Sequence, residues 1–174
     1  MRRLIAAHKE RHARGATQLL GVLLAEAIAH RCPETDLVLV PVPSTRSAVR
    51  RRGYDSVSVV SDVAARLLGR DGYDVHVVPA LSHVRRLADQ SGLTTDDRWT
   101  NLHGAMAARP VTGLVVVVDD VCTTGATLTE ACRALAEAGA EECRAATISA
   151  TVLRRTEERP ARRLPDRPIP ETAS

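Results

Sequence analysis

The sequence predicts an α/β fold, a central and mostly parallel sheet flanked by helices. Two runs, Asp36–Ser44 (DLVLVPVPS) and Gly113–Asp119 (GLVVVVD), are continuously apolar instead of alternating, the pattern of strands covered on both faces. Stretches with helical periodicity lie around them, and strand–helix alternation implies crossover connections and parallel pairing.

In chain order, residues 2–12 read as a short helix ahead of Gly15. Residues 16–30 read as a longer one, with Leu19, Leu20, Leu23, Leu24, Ala27 and Ile28 on one stripe and Gln18 and Glu26 off it. Cys32-Pro33 closes this unit. After the strand at Asp36–Ser44, a loop from Ser44 to Tyr54 carries Arg46, Arg50, Arg51 and Arg52, followed by Gly53. Asp55 or Ser56 caps a helix to about Leu68, with Val59, Val60, Val63, Ala64 and Leu67 inward, and Gly69 ends it. Val75–Pro79 is a second short strand. Residues 82–104 are polar and irregular; long loops of this kind in compact domains are functional or disordered. The strand ending at Asp119 leads through a loop, Asp119–Thr127, into a helix with Leu128, Ala131, Cys132 and Leu135 inward and Gly139 at its end. Cys143–Val152 is the last strand. From Arg154 on, Pro160, Pro165, Pro168 and Pro170 stand among Arg and Glu, so residues 154–174 are expected to be a disordered Arg/Pro-rich tail.

The 174 residues amount to one domain, and 44% apolar with 26% charged residues excludes wholesale disorder, collagen and a coiled coil. With no Phe, two Tyr and one Trp, the core has to be Ala, Val and Leu, and an aromatic base-stacking platform is excluded. The net charge of +3 is mild; Lys9 is the single lysine among 24 basic residues. Cys32, Cys122, Cys132 and Cys143 form no C-x-x-C pair and have no His at zinc-site spacing, so they read as free buried thiols in a reducing compartment. The start Met1-Arg2-Arg3 is followed by charged residues where a signal peptide needs its apolar core. Leu19–Ala29 is broken by Glu26 and too short to span a bilayer. The chain is therefore expected to be cytoplasmic with no membrane span.

The chemistry concentrates in VVVVDDVCTTGAT, Val115–Thr127. Ligands of open α/β sheets bind just past the carboxyl ends of the strands. Here a buried strand stops at two carboxylates, Asp119 and Asp120. A turn rich in Thr and Gly then leads into a helix N-terminus, whose free N–H groups and dipole suit an anion. Thr123, Thr124 and Thr127 add hydroxyl donors, and Gly125 lets the backbone approach closely. Carboxylates repel phosphate, so they should face another part of the same ligand; vicinal ribose hydroxyls with a nearby Mg²⁺ suit them. The deduced ligand is a ribose 5-phosphate unit.

This stretch resembles the PRPP-binding signature of type I phosphoribosyltransferases, with Cys122 where the motif usually has an aliphatic residue. PVPS, then RRRGYDS, then QSGLTTDDRWTNLHGAM are similar to the ComF branch, named for competence-associated DNA-uptake proteins, over roughly residues 2–152. The resemblance implies the type I phosphoribosyltransferase fold with a small hood, a domain at 1–153 whose segment 1–33 contributes the hood, and a hood that selects the acceptor. It implies that Asp119 and Asp120 bind the ribose hydroxyls of PRPP and, directly or indirectly, Mg²⁺. Thr123, Thr124, Gly125, Ala126 and Thr127 would hold the 5-phosphate, and the turn Ser44, Thr45, Arg46 would meet the pyrophosphate and Mg²⁺; on charge alone, Arg52 of the cluster Arg46, Arg50, Arg51 and Arg52 also reads as a contact for the anionic pyrophosphate. Residues 85–102 would be a mobile closing loop; as a cation on that polar loop, Arg98 reads as the group that stabilises the leaving pyrophosphate. A strained or cis peptide near Ser44–Thr45 is a further expectation. Relatives in this branch often carry an N-terminal Cys-rich zinc module, and this chain starts where that module would have ended; a short form and a start further upstream both stay open.

Two readings of function follow. One is a PRPP-dependent transferase that uses Mg²⁺ to move the phosphoribosyl group to a nucleobase or amine. The other is a non-catalytic PRPP or nucleotide binder, or an accessory factor in DNA uptake. No residue pattern names the acceptor, and DNA, competence machinery and a homodimer stay open as partners.

Overall fold

The structure, a computed structural model, describes residues 4–5, 8–9, 14–85 and 102–150. Within them the chain runs through α1 (Arg14–Arg31), β1 (Asp36–Pro41), α2 (Arg46–Arg52), α3 (Ser56–Arg70), β2 (Asp74–Val77), β3 (Leu81–His83), β4 (Met106–Ala108), β5 (Leu114–Cys122), α4 (Ala126–Glu137) and β6 (Cys143–Ala150). Four strands form one sheet in the order β2-β1-β5-β6, and every neighbouring pair is parallel. The two apolar runs are its central strands, in register from Leu37 opposite Leu114 to Pro41 opposite Val118.

The lack of alternation in those strands has its reason in the layers around them. Leu37 and Leu39 of β1 and Val116 and Val118 of β5 pack with Leu20, Leu24 and Ile28 of α1 and Val60, Ala64 and Leu68 of α3. Val38, Val40, Val115 and Val117 point the other way and pack with Ala131, Ala134 and Leu135 of α4 and with Leu81 and Met106. Each such Val, Leu or Ile side chain contributes about 1.5–3 kcal/mol on burial, so both faces demand apolar residues. The two helices on the first face meet closely at Gly21: a Cβ there would lie 2.2 Å from Val63 Cγ1, a separation only glycine tolerates.

Several local expectations are corrected. The segment Ser44–Tyr54 is not all loop, because α2 lies inside it. Thr45 caps α2 by accepting from the Ala48 N–H, and Gly53 ends it. The helix α3 continues through Gly69 to Arg70. The irregular stretch at 82–104 contributes β3 at its beginning, which pairs antiparallel with β4, Leu81 opposite Ala108 and His83 opposite Met106. The strand β5 runs on to Cys122, so Asp119 and Asp120 lie within its last residues and not in a loop. All described peptide bonds are trans, Ser44–Thr45 included, so the expected cis bond is not there. The tail at 154–174, most of the closing loop at 85–102 with Arg98, and most of the segment 1–13 lie outside the described residues.

Candidate functional site

Side-chain alternation along β5 sets the site. The row of Val115 and Val117 faces α4, the row of Val116 and Val118 faces α1 and α3, and Asp119 and Asp120 follow them near the end of β5. At the carboxyl end of the sheet both rows run out of apolar cover. There the two aspartates line one cavity of about 250 Å³ with Lys9, Ser44, Thr45, Arg52, Ser56, His83 and Thr127. Its walls come from the β1–α2 turn, α3, β3 and the start of α4.

The carboxylates differ in surroundings. Asp119 Oδ1 accepts the Asp120 N–H at 2.8 Å. Burial and then the neighbouring Asp120 charge push the Asp119 carboxyl up to about 7, against an ordinary value near 3.8. Asp120 is 9% exposed, and its Oδ2 forms an ion pair with Lys9 Nζ. That oxygen is otherwise buried without a hydrogen-bond partner. Uncompensated burial of such an atom is costly, so a cation is what this position asks for, and Lys9 answers with the one lysine of the chain.

Lys9 is placed by its neighbour. His8 is 2% exposed; its Nε2 meets the Ser56 carbonyl at 3.2 Å and its Nδ1 meets Thr17 Oγ1 at 2.9 Å. A carbonyl only accepts, so Nε2 carries the proton and Thr17 donates to Nδ1. Burial lowers the His8 pKa, which favours this neutral form. Tyr54 OH donates to the His8 carbonyl at 2.5 Å. The sequence pattern marks neither His8 nor Lys9 as a site residue, since both arrive through contacts with residues far along the chain. The singularity of Lys9 was the signal available.

The turn Thr123–Thr127 follows β5 directly. Gly125 has φ +80° and stands at the N-cap of α4 with no side-chain cap bond. The Ala126 N–H has a 3.4 Å contact to Thr124 Oγ1. The first turn of α4 holds no acidic residue, so its positive dipole end faces the cavity uncompensated. Of the turn, Thr127 lines the cavity.

On the β1 side, Asp55 organises the turn. Its Oδ1 accepts from the Val57 and Ser58 N–H groups at 3.0 and 3.2 Å, capping α3, and its Oδ2 accepts from the Ser44 N–H at 2.7 Å. Ser44 and Thr45 thus sit at the cavity rim, but the Ser44 N–H is occupied. Arg52 lines the cavity and is held by bonds to the Ala48 carbonyl at 3.2 Å and Ser56 Oγ at 3.0 Å. Arg46 lies apart from it, in an adjoining cavity of about 460 Å³ lined by Thr45, Ser47, Arg50, His83, Val84 and Arg85. No acidic residue is among those side chains. His83 belongs to both cavities; its Nε2 donates to the Pro43 carbonyl at 3.0 Å, and its Nδ1 is buried without a hydrogen-bond partner. No motif of the sequence singles out His83; its place at the junction comes from the fold.

A carboxylate pair near the end of a central parallel strand, a Thr/Gly turn opening a helix, and a basic rim thus meet at the carboxyl end of the sheet. A family model for the phosphoribosyl transferase domain matches residues 48–170, and the chain belongs to that family. The ComF-like character of its motifs agrees with 32% identity over 109 residues to Competence protein F of Haemophilus influenzae. That match covers 60% of this chain, and this chain spans 46% of that relative's length. Among solved structures, TT1426 from Thermus thermophilus is 20% identical with a TM-score of 0.42, covering 78% of this chain and 84% of that one. The orotate phosphoribosyltransferase from Aeropyrum pernix is 18% identical with a TM-score of 0.42, covering 86% and 76%.

Proposed function

We propose that the chain binds PRPP and, with Mg²⁺, transfers its 5-phosphoribosyl group to a nucleobase or amine with release of pyrophosphate. The observation that carries this reading is the Asp119–Asp120 pair facing one cavity between the Thr123–Thr127 turn and the basic α2. The ribose hydroxyls donate to Asp119 and Asp120; Thr123, Thr124, Gly125, Ala126 and Thr127 take the 5-phosphate; Ser44, Thr45, Arg46 and Arg52 take the pyrophosphate. Arg98 closes on the leaving group. The bond from the anomeric carbon to the pyrophosphate oxygen breaks with its electron pair leaving on pyrophosphate, and a bond to the acceptor nitrogen forms as that nitrogen gives up a proton to solvent. Positioning and charge neutralisation supply most of the rate.

The donor set fits Mg²⁺: two carboxylates and several hydroxyls are hard oxygen ligands. Mg²⁺ binds through one or two carboxylates and takes its other ligands from phosphates and water, which suits a pair of carboxylates beside a phosphate site. When bound, it neutralises charge on the pyrophosphate.

The test is an acceptor screen with pyrophosphate detection, run beside thermal shifts with PRPP and Mg²⁺. Acceptor-dependent pyrophosphate release is the expected result, and Arg98→Ala should lower turnover sharply while leaving PRPP affinity within a few-fold. The second reading, a non-catalytic PRPP or nucleotide binder or a DNA-uptake factor, draws on the name of the Haemophilus relative and on the exposed Arg46, Arg50 and Arg51. A PRPP-induced shift without pyrophosphate release favours the binder. Indifference to PRPP together with steeply salt-dependent DNA binding favours the DNA factor.

A further inference from the structure

Cys132 and Cys143 are 11 positions apart in the chain, far from a C-x-x-C spacing, yet α4 and β6 bring them face to face. Cys143 Sγ donates to Cys132 Sγ across 2.8 Å. A disulfide bond is about 2.05 Å long, so the sulfurs stand about 0.8 Å beyond bonding distance. Both side chains are partly accessible. The other two thiols are elsewhere: Cys32 is buried at 2% exposure, and Cys122 lies opposite Ala150 while Cys143 lies opposite Val115, roughly 23 Å away along β5 at about 3.3 Å per residue.

We propose that Cys132 and Cys143 are a thiol–disulfide exchange site whose co-reactant is a low-molecular-weight disulfide. The hydrogen bond from Cys143 lowers the Cys132 thiol pKa, while the same contact raises that of Cys143. Cys132 is therefore the attacking sulfur. Its thiolate bonds to one sulfur of the small disulfide, and the other sulfur leaves as a thiolate. Cys143 then gives its proton to solvent and attacks Cys132 Sγ, expelling the second small thiolate. Two protein thiols are oxidised, one small disulfide is reduced to two thiols, and two electrons pass between them. The product staples the middle of α4, whose N-terminus carries the Thr123–Thr127 turn, to the first residue of β6. A dithiol reductant reverses it.

The whole chain is incubated with oxidised glutathione or with dithiothreitol, alkylated, and read by intact mass, peptide mapping and thermal melting. The expected result is a loss of about 2 Da before alkylation, a mapped Cys132–Cys143 peptide, and a Tm higher by roughly 5 °C or more in the oxidised form. Cys143→Ser should abolish the crosslink and leave Cys132 as a mixed disulfide; Cys122→Ser should leave the crosslink intact. Four alkylated thiols after oxidation of the native chain, or a bond mapped to Cys32 or Cys122, overturns the proposal without need of any variant.

Discussion

Asp119 and Asp120 are neighbours in sequence and line one cavity, yet they have different partners. Asp119 accepts the Asp120 N–H, and Asp120 pairs with Lys9. Burial and the Asp120 charge push the Asp119 carboxyl up to about 7, and a cation bound beside it would favour its ionised form. Asp120→Asn leaves Lys9 without its partner and removes a ligand for the hydroxyls, so PRPP affinity with Mg²⁺ should fall at least about tenfold, or about 1.4 kcal/mol. Isothermal titration measures this; an unchanged constant would remove Asp120 from the site.

Between elements, two contacts decide how the site is held. Asp55 caps α3 and also anchors the Ser44 N–H. Asp55→Ala should cost about 0.5–2 kcal/mol for the cap, and more in total because the Ser44 donor loses its partner as well. Asp55→Asn, which keeps an acceptor oxygen, should recover part of it in urea melts. The second contact is Gly21 against Val63. Gly21→Ala should destabilise by about 1–3 kcal/mol through overpacking, and Val63→Ala in the same chain should relieve the clash; additive losses in the double variant would show that the two helices are not pressed together there. The elements that were legible beforehand are those written locally: the apolar runs of β1 and β5, the Asp55 cap, and the α4 stripe ahead of Gly139. The helix α2 was not, because Arg-Ser-Ala-Val-Arg-Arg-Arg has no apolar stripe; it forms from a Thr45 cap and good helix formers. The strands β3 and β4 are three residues each and exist only by pairing across a long interval.

For the molecule as a whole, the β3–β4 pair is tied to the main sheet's helix layer by one buried carboxylate. Glu130, at 4% exposure, accepts the Met106 N–H at 3.0 Å, and Arg133 donates to both its oxygens at 2.7 and 2.8 Å and to the Met106 carbonyl. Burial alone would raise its pKa; the Arg133 and Met106 hydrogen bonds outweigh it and hold the carboxyl at about 2. A depressed pKa stabilises the fold fully above the ordinary value near 4.5 and less as pH falls toward about 2. Urea midpoints measured from about pH 5 to about pH 2 should therefore fall, and in Glu130→Gln the fall should be shallower from a lower start. An equal slope in both would mean that other carboxylates govern acid unfolding. The class of fold and the two aspartates were readable because strand, turn and helix are consecutive in the chain. The hydrogen-bonded positions of Lys9, His8, His83 and Glu130 were not, since each is defined by a partner on a distant segment.

The ion pair between Lys9 and Asp120 gives this chain a built-in reporter. Because no other side chain carries a primary amine, reductive methylation with isotopic formaldehyde labels that position and the chain's α-amine alone, and a Lys9→Arg variant tells the two signals apart. A labelled methyl signal seated against Asp120 in the free protein should move when ribose hydroxyls or Mg²⁺ claim the carboxylate. Occupancy of the cavity then becomes visible as one resonance, for any candidate ligand, before any acceptor is known.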